Sequence, residues 1–344
     1  MLNALKEKGD SLLNHNQALS ASAQYEAALE TYRASKMENH PFLFELLVNL
    51  SYTHAPYHLA LPQKQHQYLE EAQKLVDAKG ISPIALSNFY QDLASLKRQE
   101  GDYEKGLGYV NKAYEICSLH RNEIAKEVGV HTALDNEAFV RVGIILFNMH
   151  LDKEEELLKS YAEFEHFYLQ NHNQVDLGYA YGQANFFMGR FYQKRNVDTA
   201  VDYFDRVIAS SPVAYDRHYA QICKGHAYIE GNQMGQAQSV ITSLESIHPN
   251  SQSLQLNILE LAAKYYSEIR DLPKLVEHVN TALGLLNKKN MAIDIRQFNP
   301  DDFEPIENPK YPVLLTQFIT FLESVEDESY KNAVYHLYKI ALNQ

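Results

Sequence analysis

The chain has 344 residues, 45% of them hydrophobic and 22% charged, which suits two domains or one repeat array in an ordinary folded protein. Its 14 Gly and 11 Pro are few, which argues against a large all-β protein or a many-stranded α/β enzyme. Lys and Arg number 31 against 44 Asp and Glu, a net charge of −13, and the basic residues gather only as dipeptides such as Lys194-Arg195 and Lys288-Lys289, so no nucleic-acid partner is expected.

Cys117 and Cys223 are isolated, which excludes a disulfide framework and fits a reducing compartment. Met1 to Ser20 is polar and lacks the apolar core of a secretory signal. No run of about 18 apolar residues occurs, so no membrane contact is expected and the cytoplasm is the expected location.

In chain order, the first element pair is marked by Leu5, Gly9 and Leu12, then Ala21, Tyr25 and Ala28. Residues three and four apart share a helix face, so these positions predict two amphipathic helices meeting along one seam. A second pair spans about 42–79, where Pro56 and Pro62 interrupt the usual short turn. Ser82-Pro83 predicts an N-cap followed by proline at the first helical position. The helix it opens carries Tyr90, Leu93, Ala94 and Lys97; a turn at Gly101-Asp102 leads to a partner with Val110 and Ala113. Residues 114–133 form an overlong connection or an extended helix. The pair at about 134–170 is degenerate, with Glu154 where a small residue is expected and Asp152 with Glu155 as a candidate capping box. Glu154 to Glu156 read as a solvated, dipole-compensated helix start rather than a cation site.

Three further copies follow. One holds Ala184, Phe187, Met188 and Phe191, then Ala200, Phe204, Val207 and Pro212. The next holds Gln221, Lys224, Gly225 and Tyr228, then Ala237, Ile241, Leu244 and Pro249. The last holds Leu259, Ala262, Ala263 and Tyr266, then Leu275, Val279 and Ala282. Small residues at a helix crossing let two backbones approach while large ones fill the seam. Pro212 and Pro249 lie 37 residues apart, one repeat. Residues 287–311, with Pro300, Pro305, Pro309, Asp301 and Asp302, read as an insertion or linker. A final pair at about 312–342 would cap the array; Ser329 to Ala333, Leu337 and Ile340 read as its second helix.

This pattern resembles the tetratricopeptide repeat, most closely at Gly225, Tyr228, Ala237 and Pro249 and next at the N-terminal unit. The resemblance covers nearly the whole chain. It implies an all-α, right-handed solenoid of helical hairpins, about eight repeats or sixteen helices. The expected division is a repeat array at 1–286, an irregular segment at 287–311 and a capping helix pair at 312–344.

Catalytic motifs are missing: no GxSxG, HExxH or P-loop occurs, and Gly106-x-Gly108 falls inside a predicted helix rather than after a strand. Glu163/His166 and Glu245/His248 have di-metal spacing, but some eighty residues separate them in an array that touches only near neighbours. Cys117 and Cys223 read as buried small hydrophobes. No cofactor, no metal and no enzymatic activity are expected.

The resemblance also implies that the first helices of successive repeats line a concave groove that holds extended peptides or partner segments. On this phase Asn88, Gln91, Asn136, Phe139, Asn185, Tyr192, Gln193, Tyr219, His226, Asn257, Glu260 and Lys264 face the groove, with Asn3, Lys6 and Arg98 beside them. Asparagine offers one acceptor and two donors, which match the backbone of an extended peptide; its alternative use is helix capping. Tyr192, Tyr219 and Phe139 would make apolar pockets. Asp10 follows Lys6 where the carboxylate clamp of chaperone-binding members needs asparagine, so C-terminal carboxylate capture is not expected in the first unit. The first repeat begins by about residue 4, so no preceding DNA-binding domain is expected, and the likeness to bacterial peptide-sensing regulators of this family is one of fold. The expected function is that of a protein- or peptide-binding adaptor or regulator, possible homodimerisation included. The alternative is an assembly subunit that uses its outer surface.

Overall fold

A computed structural model describes residues 2–286 except 16, 36, 56–57, 248 and 250, and then 311–324 and 337. All sixteen elements among the described residues are α-helices. The chain divides into two compact units, Met1–Ala184 and Asn185–Gln344.

The first unit pairs α1 (Leu2–Asn14) with α2 (Ala18–Ser35), α3 (His40–Thr53) with α4 (Pro62–Gln73), and α5 (Pro83–Gln99) with α6 (Tyr103–Leu119). A short α7 (Arg121–Val128) precedes the pair α8 (Val130–His150) and α9 (Glu154–Asn171). The helix α10 (Gly178–Tyr192) begins in this unit. Successive hairpins stack: α2 lies on α3, α3 on α5 and α6 on α8.

The predicted small-to-large seams are present. Gly9 is packed against the ring of Tyr25, whose hydroxyl donates to Asp10 Oδ1 at 2.7 Å. Ala21, Tyr25 and Ala28 are buried together with Phe44 and Phe89. Ser82 caps α5 as expected, its Oγ accepting from Ala85 N at 3.3 Å, with Pro83 next in line. Pro62 does not disrupt its unit; it opens α4, where its missing N–H costs nothing. The stretch at 114–133 resolves into the end of α6, the whole of α7 and the start of α8.

One local expectation changes. Asp152 is not the cap of α9: Lys153 holds that place without a side-chain cap bond, and Asp152 has φ 57°. Glu154 is exposed in the first turn, as a solvated helix start requires, and Leu157, Tyr161, Phe164 and Phe167 fill the core.

The reason for Asp152 is a recurrent hairpin turn. Between α5 and α6, α8 and α9, and in the second unit's later hairpins, three residues join the helices and the middle one is left-handed: Gly101, Asp152, Asn232 and Arg270, with φ 76°, 57°, 56° and 59°. The next residue's N–H closes the turn on a carbonyl five residues back. The bonds are Asp102 to Lys97 (2.9 Å), Lys153 to Asn148 (3.1 Å), Gln233 to Tyr228 (2.8 Å) and Asp271 to Tyr266 (2.9 Å). This geometry satisfies orphan carbonyls at the helix end and reverses the chain in three residues.

The second unit opens with the C-terminal half of α10, paired with α11 (Val197–Ser210). Two more hairpins follow, α12 (Ala214–Glu230) with α13 (Met234–Glu245) and α14 (Gln252–Glu268) with α15 (Leu272–Leu286). The helix α16 (Tyr311–Ser324) packs on α14. Gly225 lies where α12 meets α14: a Cβ there would come within 2.6 Å of Leu261 Cδ2, so any side chain at this position would have to displace Leu261. Leu261, Ala262, Ala263, Leu275, Val279 and Ala282 form the core with Leu315 and Phe318 of α16. The predicted insertion at 287–311 lies outside the described residues up to 310. So does the predicted last helix, from which only Leu337 is described, as buried. His248 is also outside them.

Candidate functional site: a polar pocket across the opening helices of the second unit

In the second unit α12 packs on α14 and α14 on α16, and Phe186 of α10 meets Tyr219 of α12. One pocket of about 400 Å³ crosses all four. Arg190, Gln193 and Lys194 enter from the end of α10 and the residues after it. Tyr219, Ile222, Cys223, His226 and Glu230 come from α12, Asn257, Glu260 and Lys264 from α14, and Gln317 and Phe321 from α16. The α12 set steps by three and four residues, a single stripe of one helix face.

A chain of polar contacts ties the walls together. Lys264 Nζ pairs with Glu230 Oε1 at 3.1 Å, and Gln193 Nε2 donates to Glu230 Oε2 at 3.2 Å. Arg190 Nη1 donates to Gln193 Oε1 at 3.0 Å and lies 3.9 Å from Cys223 Sγ. Burial pushes the Glu260 carboxyl up to about 7, partly offset by the Lys264 charge and a hydrogen bond with Gln317. Burial, then the charges of Lys264 and Arg190, hold the half-buried His226 imidazole down at about 3. Burial raises the Cys223 thiol to about 11 against the pull of Arg190. Tyr219 stacks on Tyr215 at 6.0 Å and meets Phe186 at 5.7 Å, making an aromatic wall.

Six of the residues singled out from sequence therefore line one pocket: Gln193, Tyr219, His226, Asn257, Glu260 and Lys264. Two others on α10 do not. Asn185 is fully buried, and Tyr192 stacks on Tyr203 of α11 at 6.0 Å. Both lie one residue short of Phe186 and Gln193, and one residue on a helix rotates a side chain by about 100°.

The remaining four lie in the first unit. Gln91 Nε2 donates to Asn136 Oδ1 at 2.7 Å and also reaches Ser87 Oγ (3.3 Å) and Asn88 Oδ1 (3.5 Å). Asn136 Nδ2 points to Cys117 Sγ at 3.7 Å. Asn88, Gln91 and Asn136 thus form one amide cluster across α5 and α8, while Phe139 packs against Tyr179 at 5.7 Å. Asn3 is exposed, and Lys6 pairs with Asp10 at 3.2 Å and Glu45 at 3.5 Å.

Arg190, Lys194, Ile222, Cys223, Glu230, Gln317 and Phe321 were not anticipated from sequence. The signal for the α12 members was present: Tyr219 and His226 already mark the stripe that Cys223 and Glu230 continue. Among the described residues no helix is long and apolar enough to cross a membrane.

Solved structures share this architecture. The apo form of RapI superposes with a TM-score of 0.56 at 15% identity, over 83% of this chain and 97% of that one. A tetratricopeptide repeat protein from Parabacteroides merdae ATCC 43184 gives 0.52 at 14% identity, over 95% and 99%. The fold is tetratricopeptide-like. The apo form of the quorum sensor NprR from B. thuringiensis gives 0.53 at 14% identity, over 99% and 97%. No family model matches the sequence, and a search of curated proteins finds no match. At these identities the likeness is to the tetratricopeptide-like fold.

Proposed function

We propose that this chain is a non-catalytic scaffold that binds an extended peptide or partner segment across α10, α12, α14 and α16, in the manner of an adaptor or regulator. The observation that carries the reading is the pocket itself. Opening helices from successive hairpins contribute amides, charges and aromatic rings to one cavity, the mixture that grips a peptide backbone and its side chains. One fold neighbour is a quorum sensor; the reading for this chain rests on the pocket, since the likeness is one of fold.

The electrostatics speak against one specific chemistry, a thiol nucleophile activated by an imidazole. A thiol nucleophile needs a thiolate beside an imidazolium, which requires a lowered thiol and a raised imidazole. Cys223 and His226 share the pocket with the opposite shifts, about 11 and about 3.

The test is capture of peptides from a synthetic random library by the full chain, followed by substitution. Tyr219→Ala and Asn257→Ala should each weaken capture by about tenfold, whereas Asp202→Ala and Gln238→Ala, on exposed parts of α11 and α13, should leave it unchanged. Loss with the second pair alone would transfer the function to the outer surface, as for an assembly subunit.

A further inference from the structure

The charge of the pocket runs against that of the chain. Three cations, Arg190, Lys194 and Lys264, face two carboxylates, Glu230 and Glu260, in a protein of net charge −13. Lys264 is paired with Glu230. Burial holds Glu260 toward its neutral form. Arg190 and Lys194 have no carboxylate within 4.0 Å among the described residues.

Arg190 is the informative group. Only its Nη1 is engaged, by Gln193 Oε1 and Cys223 Sγ, both uncharged. Its Nε and Nη2, which present two parallel N–H groups along one edge of the guanidinium, have no acceptor among the described residues. The same molecule demonstrates what that edge receives. Arg121 sets its Nε and Nη2 at 2.8 Å each on the two oxygens of Glu137. This side-on fork is the geometry that matches a carboxylate.

A cation near the end of α10 has another use, since a helix C-terminus attracts positive charge. Arg195 already fills that role: its Nη1 donates to the Phe191 carbonyl at 2.6 Å and its guanidinium lies 3.9 Å over the Phe191 ring. Arg190 instead turns toward the pocket.

We propose that the pocket anchors a carboxylate of the bound peptide on the Nε/Nη2 edge of Arg190, with Lys194 beside it and Tyr219 against the apolar part of the same residue. This rests on the peptide-binding reading and specifies its ligand as carboxylate-bearing. The carboxylate is either an Asp or Glu side chain or the peptide's own C-terminus.

Two synthetic random heptapeptide libraries separate these sources, one with free C-termini and one amidated, each captured by the full chain at low salt. Enrichment of Asp or Glu in both libraries assigns a side chain. Capture from the free library alone assigns the terminus. In either case Arg190→Gln should weaken the captured peptides by about tenfold or more, Lys194→Gln by less, and added salt should weaken wild-type binding. Arg190→Glu should turn the preference toward Lys and Arg peptides; Arg190 is exposed, so an unchanged unfolding midpoint is expected for both variants. Peptides captured with no carboxylate preference, and equally well by Arg190→Gln, would overturn this inference while the peptide-binding reading stands. Capture of no peptide from either library would remove both.

Discussion

The two units each contain a carboxylate held by two basic or polar partners, and the pair differ in what surrounds them. In the first, Glu137 is fully buried between Arg121 and Arg141, with four hydrogen bonds of 2.8 to 3.1 Å. The Arg141 guanidinium also lies 4.7 Å from the rings of Tyr114 and Phe167. That network closes on itself and fastens the non-repeat helix α7 to α8. In the second, Glu230 is bridged by Lys264 and Gln193 at the rim of an open pocket, with 24% of its side chain exposed. The first network is a structural rivet whose carboxylate is dry although its Arg121 side chain is 44% exposed; the second arranges a surface. Like chemistry thus has unlike consequences, because removal of one partner from a dry site leaves uncompensated charge while water repairs the wet one.

Substitution tests this contrast most strongly at Glu137. Glu137→Ala should cost about 2–3 kcal/mol in urea unfolding, chiefly by stranding the buried Arg141, since water screens the exposed Arg121, against less than about 1 kcal/mol for Glu230→Ala. Equal losses would end the distinction.

A second contrast is in pH. Asp92 in the first unit is buried, with one donor, Ser51 Oγ, at 2.7 Å, and burial raises its carboxyl to about 7. The folded state then holds its proton more tightly than the unfolded state, where a carboxyl titrates near 3.9. Its contribution to stability is complete below about pH 4 and is lost as pH rises to about 7. Relative to Asp92→Asn, wild type should lose roughly 2–4 kcal/mol across that window, read from unfolding curves at stepped pH. Parallel curves for the two proteins would show that Asp92 is ionised and solvated in the fold.

The turns offer a smaller effect. Arg270 occupies the left-handed position that Gly101 fills in the first unit. Arg270→Gly should add about 0.5–1 kcal/mol by relief of that strain. No gain would mean that contacts of the Arg270 side chain offset it.

The smallest effect is spectroscopic. With its imidazole held at about 3, His226 should keep neutral-form NMR shifts from pH 8 down to pH 5. Titration near 6.5 would place it in bulk water.

Much of this fold was legible. The small-residue positions Gly9, Ala94, Ala184, Gly225 and Ala262 are all buried, because a 3.6-residue period keeps them on the inward face of their helices. The cap at Ser82 was equally readable, since it depends on residues 82–85 alone. The left-handed residue at Asp152 was not, because its conformation is imposed by two helices that must reverse in three residues, a demand Arg270 also meets against its own preference. The pocket was half legible. Helix phase placed Gln193, Tyr219, His226, Asn257, Glu260 and Lys264 on the lining, whereas Asn185 and Tyr192 fell one residue away on α10.

By itself the sequence determined that hairpins form and which stripes of each helix face inward, since those follow from local spacing and local caps. Only the tertiary structure decided which stripes from α10, α12, α14 and α16 meet around one cavity, and that Glu230 would be spoken for while the edge of Arg190 stays open. Charge pairing across helices depends on distances of a few ångströms between residues some 35 apart in the chain, and no local pattern encodes them.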